Sequence, residues 1–127
     1  MRLLIAMPVV VGLSCFSQSA AAKKCAVDNY DHKKSVVVAK RCAGKLTISY
    51  KRSRSALVPN GVKSGTILFT GTEQAARLVK GQIRDFPPSC QSLAMSATGS
   101  RQAGSITLEV NYAIRDKTCQ VIRHQTV

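Results

Sequence analysis

Few side chains in this 127-residue chain have the type and spacing that chemistry needs. Nucleophilic catalysis requires a serine or cysteine beside an oriented base. The two histidines are His32, in a basic segment, and His124, near the C-terminus, and no serine lies in a G-x-S-x-G elbow. Glycosidase chemistry requires paired carboxylates. Beyond the first 22 residues the acids are Asp28, Asp31, Glu73, Asp85, Glu109 and Asp116, spread among lysines and arginines as ion-pair partners would be. A zinc site is disfavoured because there is no C-x-x-C pair and the histidines are badly placed. The expectation is a protein that is not an enzyme, with no catalytic residue, no metal and no cofactor.

Charge is the feature that departs most from the average. The chain carries a formal net charge of +13. Residues 23–63 hold 11 Lys/Arg against 2 Asp/Glu, and residues 64–127 hold 7 against 4. A basic half joined to a nearly balanced half points to an anionic partner. Lys40, Arg41, Lys45, Lys51, Arg52 and Arg54 are the candidate anion-binding residues, expected to cluster on one hairpin and the loop after it. Their ammonium and guanidinium groups suit phosphate and carboxylate. Single-strand nucleic-acid binders add aromatic platforms. This chain has no Trp and no RRM, KH or helix-turn-helix signature, so no specific nucleic acid is expected. The expected partner is anionic cell-envelope material: lipopolysaccharide, acidic polysaccharide or anionic lipid. The alternative is a protein-interaction module, an accessory factor or inhibitor, with an acidic protein partner.

The N-terminus sets the compartment. Arg2 precedes the apolar run Leu3–Leu13, and Ala20-Ala21-Ala22 supplies a small-residue cleavage site. This reads as a signal peptide cut after Ala22, giving a periplasmic or secreted protein. The run is too short for a transmembrane segment, which needs roughly 20 residues. A lipobox before Cys15 wants an aliphatic residue where Gly12 stands. Residues 23–127 then form a single domain. Cys25, Cys42, Cys90 and Cys119 remain, an even number that implies two disulfides in an exported chain. Of the three pairings, Cys25–Cys42 with Cys90–Cys119 is favoured, since each closes a local loop without threading the other. Each contributes about 3 kcal/mol by restricting the unfolded chain.

The elements that must position these groups are read from periodicity. In Ser105–Arg115, Ile106, Leu108, Val110, Tyr112 and Ile114 alternate with Thr107, Glu109, Asn111, Ala113 and Arg115, the period of a half-buried strand. Further strands are predicted over Ser35–Ala39, Lys45–Tyr50, Gly65–Thr70, Gly81–Phe86, Leu93–Thr98 and Cys119–His124. Lys23–Lys34 is expected to be irregular. Val58-Pro59-Asn60-Gly61 has the chemistry of a type I turn. The predicted fold is mostly β: a small antiparallel sandwich or open barrel of six or seven short strands, with a short helical turn near 73–80 and two disulfides.

Gly65-Thr66-Ile67-Leu68-Phe69-Thr70-Gly71, then Gly81, Phe86, Cys90 and Gly99, the alternating strand, and Arg115 with Cys119-Gln120-Val121 carry a resemblance. Over residues 65–122 the chain resembles small uncharacterised exported cysteine-containing proteins of Gram-negative bacteria. A proline-containing turn common in that pattern is replaced here by Ile114-Arg115-Asp116-Lys117. The resemblance implies a β fold and export, and it implies no function.

Overall fold

The computed structural model describes residues 25–127, so the signal peptide expected over residues 1–22 lies outside the described residues. The described residues form eight strands: β1 (Cys25–His32), β2 (Ser35–Cys42), β3 (Lys45–Arg52), β4 (Ile67–Glu73), β5 (Leu78–Arg84), β6 (Ala94–Gln102), β7 (Ser105–Arg115) and β8 (Val121–Thr126). Each pairs antiparallel with the next, in a single open sheet ordered as in the sequence. There is one sheet among the described residues, so the sandwich expectation fails and the strand count rises to eight.

The unexpected strand is β1. Its polar residues hid it, yet it pairs with β2 along its whole length, from Cys25 opposite Cys42 to His32 opposite Ser35. The Cys25–Cys42 disulfide staples that register, and Cys90–Cys119 joins the β5–β6 loop to the β7–β8 loop. Both pairings are those expected, and two disulfides suit an oxidising compartment. The helical turn near 73–80 is a 3-10 turn at Ala75–Arg77, and a second 3-10 helix covers Ser55–Asn60. Within that helix Gly61 N–H donates to Val58 C=O at 3.1 Å, the bond of the predicted turn. No described helix is long and apolar enough to cross a membrane.

The core is built from cross-strand rows on the concave face. One row runs Ala39, Ile48, Phe69, Ile83, Met95 across β2 to β6. The next runs Arg41, Leu46, Gly71, Gly81, Ala97, Val110 across β2 to β7. The large Phe69, fully buried, therefore borders a row that is nearly empty at its middle. Its ring lies over both glycines: a Cβ on either would come within 2.7 Å of Phe69 Cζ. Glycine in a strand interior marks such a close approach and a tight bend. Ala113, expected on the outer face, is buried instead. There β7 has left β6 and pairs with β8, and the register shifts between Ile114 and Arg115.

The Gly71–Gly81 contact gives a direct test. In Gly81→Ala the new methyl meets Thr70 C=O, Gly71 Cα and the Phe69 ring. Thermal or urea unfolding should show a loss of about 1–3 kcal/mol, the usual cost of overpacking, although alanine has the better backbone propensity. Unchanged stability would mean that the glycines are not packed under Phe69.

Candidate functional site

In a sequential meander the connections alternate between two ends of the sheet. One end carries the β2–β3, β4–β5 and β6–β7 turns, and it is ion-paired. Arg101 donates to Glu73 through Nε at 2.6 Å and through a terminal nitrogen at 3.0 Å, and Arg41 meets Asp28 at 3.3 Å. The bidentate hydrogen bonding from Arg101 is the main reason the Glu73 carboxyl lies below the usual range.

The other end carries the β1–β2 turn, the long β3–β4 connection and the β5–β6 and β7–β8 loops. Asp85 and Arg115 are paired there at 2.7 Å, and Asp85 Oδ1 also accepts from the Leu93 N–H. The β1–β2 turn is different. It consists of Lys33 and Lys34, both in the left-handed region with φ 49° and 71°. Two-residue hairpins with positive φ at both positions favour Asn-Gly, and a non-glycine residue there is strained. The Arg54 N–H donates to Ser35 Oγ at 2.8 Å, which seats Arg54 beside this turn. Arg52, opposite Val36, and Lys51 before it complete a cationic end. None of Lys33, Lys34, Lys51, Arg52 and Arg54 makes an ion pair among the described residues.

The structure thus divides the six candidate residues. Lys40 and Lys45 lie near one another on the convex face, with Lys40 opposite Thr47 and Lys45 opposite Cys42. Lys51 is six residues further along β3, about 20 Å at the usual strand rise. Arg41 belongs to the ion-paired end. Lys51, Arg52 and Arg54 join Lys33 and Lys34, two residues that the expected cluster omitted. Their signal is the two-residue interval between β1 and β2, which the polar residues of β1 obscure in the sequence.

Between the two ends the concave face leaves an open-sided cavity of about 970 Å³. Its walls are largely apolar, with Tyr50, Phe69, Met95, Ile106, Leu108 and Val110 among them. The opening is a seam: Asn29–His32 of β1 and Lys33 of the turn border one side, and Gly104 and the first residues of β7, Ser105 to Leu108, border the other. No ladder joins these two edges among the described residues. The charged groups lining the cavity are Asp31, Lys33, Arg54, Arg84 and Asp85, the last held by Arg115. His32 also lines it, and burial, then the charges of Lys33 and Arg54, hold its imidazole below the usual value. Among the described residues no group of three or more His, Cys, Asp or Glu is placed to hold a metal ion. No family model, curated protein or solved structure matches the chain.

The His32 environment predicts a pH dependence. The folded protein disfavours imidazolium, so unfolding takes up a proton once the pH drops below the ordinary value of 6.5. This contribution to stability is complete above pH 6.5 and is lost as the pH falls toward the folded value. The melting temperature should therefore decline between about pH 7 and pH 5, and His32→Gln should flatten that slope. An equal slope in the variant would show that His32 is not desolvated.

Proposed function

We propose that this chain is an exported, non-enzymatic domain, periplasmic or secreted after cleavage behind Ala22, that binds anionic cell-envelope material through the basic residues of positions 23–63. The observation that carries the reading is the cationic end, where Lys33, Lys34, Lys51, Arg52 and Arg54 converge with no ion-pair partner among the described residues. Unneutralised cations gathered at one end raise the local concentration of polyanions and supply donors for phosphate or carboxylate. Lys40 and Lys45 extend positive potential over the convex face. Arg41 faces Asp28 and contributes little to it.

Titration against lipopolysaccharide, DNA and an acidic polysaccharide over a salt series tests this reading, with a Lys51→Glu/Arg52→Glu/Arg54→Glu variant alongside. One polymer should remain bound at physiological salt, and the variant should lose it. Release of all three together at modest salt would make the charge generic and return the question to an acidic protein partner.

A further inference from the structure

The cationic end and the apolar cavity are one continuous surface. Lys33 and Arg54 belong to both: they are among the unpaired cations, and they line the cavity. We propose that the cavity holds the alkyl chain of a single-chain amphiphile whose anionic phosphate headgroup sits against Lys33 and Arg54. The inference rests on the reading of the protein as a binder of anionic envelope material and names the ligand chemistry of that site.

Three observations on the molecule lead here. The cavity, about 970 Å³, lies at the upper end of the roughly 300–1,000 Å³ usual for small-molecule sites. Its walls include Ile106, Leu108 and Val110 of β7, which are half-buried and packed against the core cluster that contains Phe69, and Met95 lines the same cavity. Half-buried aliphatic side chains around a cavity offer an alkyl chain apolar area at about 25 cal/mol per Å² removed from water. The second observation is polarity. At the ion-paired end Arg41 and Arg101 are held by Asp28 and Glu73, and neither they nor Lys45 and Arg77, which share that end, line the cavity. At the opposite end Lys33 and Arg54 make no ion pair among the described residues, and the one carboxylate in the lining besides the Arg115-held Asp85 is Asp31. An amphiphile therefore has one favoured orientation, head toward the β1–β2 turn and chain along the sheet. The third is the seam. With β1 and β7 unpaired beside the cavity, a chain can enter laterally, without threading past the loops.

Met95 provides the readout. It lines the cavity, is 6% exposed, and is the one methionine beyond residue 7. The exported protein, recovered with its disulfides intact and carrying 13C-methyl methionine, is titrated with dodecyl phosphate below its micelle concentration. The Met95 signal is assigned by loss in Met95→Leu. Dodecyl maltoside supplies the chain without the anion, and glycerol phosphate supplies the anion without the chain. Dodecyl phosphate should shift the Met95 methyl and bind about tenfold more tightly than the maltoside, the scale expected of charge-assisted hydrogen bonds to a phosphate. Glycerol phosphate should leave the signal in place. Lys33→Asn/Lys34→Gly, which leaves Arg54 in place, should weaken dodecyl phosphate binding while the affinity for the maltoside stays unchanged. The same variant should raise the melting temperature, because Asn-Gly suits the left-handed turn, so its loss of binding cannot come from unfolding. Equal affinity for dodecyl phosphate and maltoside would overturn the assignment of the headgroup. No Met95 shift with dodecyl phosphate would overturn the proposal as a whole. In that event, salt-resistant lipopolysaccharide binding by the same sample would leave the surface reading standing, and its absence would remove both.

Discussion

The ring of Phe69 pressed on Gly71 and Gly81 is the contact from which the rest of the architecture follows. Neither glycine tolerates a Cβ, because each faces the other, a carbonyl of the neighbouring strand and the aromatic ring. Glycines at so close an approach leave the two strands free to curve, and residues of β1 and β7 line one cavity on the concave face. Phe69 supplies the volume the glycines omit, joining Ile48, Ile83 and Met95 in one row of the core. The pattern of one large residue beside two absent side chains sets the curvature locally, with no second sheet to pack against.

Curvature without closure has two consequences. The concave face shelters its apolar residues from most of the solvent but leaves Ile106, Leu108 and Val110 half-buried beside a seam. The two ends of the sheet are also chemically unlike. One holds Arg101–Glu73 and Arg41–Asp28 beside Lys45 and Arg77, and the other holds Arg115–Asp85 and five cations, Lys33, Lys34, Lys51, Arg52 and Arg54, with no ion pair among the described residues. The cavity has apolar walls and takes its lining cations, Lys33, Arg54 and Arg84, from one end of the sheet, the polarity that the proposed amphiphile requires.

Much of this was legible in the sequence where one strand carried the whole signal. Ser105–Arg115 declared itself through strict alternation, and the disulfide pairing followed from two separate local loops. β1 was hidden because Asp28, Asn29 and Asp31 break the alternation, as charged residues do on strands that form a sheet edge. The glycine pair was visible as residues but not as a contact, since Gly71 meets Gly81 only once β4 and β5 are in register. The candidate cations were chosen by density along the chain. Successive residues of a strand point to opposite faces, so Lys40 and Arg41 could not share a patch, and folding sent them to the convex face and the ion-paired end. Lys33 and Lys34 went unnoticed because lysine is a poor residue for a left-handed turn; their placement there became evident only in the backbone.

The open seam is the central claim, and backbone hydrogen exchange tests it at two amides. Val110 and Val127 exchange both N–H···O bonds, at 2.8 and 3.0 Å, so even-numbered residues of β7 turn their backbone groups away from β6. Ile106 and Leu108 consequently aim their amides into the seam, whereas Thr107 and Glu109, opposite Ser100 and Thr98, aim theirs at β6. The account predicts that Ile106 and Leu108 exchange at least about 100-fold faster than Thr107 and Glu109 in the ligand-free protein. Slow exchange at all four would mean that β1 and β7 are hydrogen-bonded into a closed barrel, with no lateral opening into the cavity.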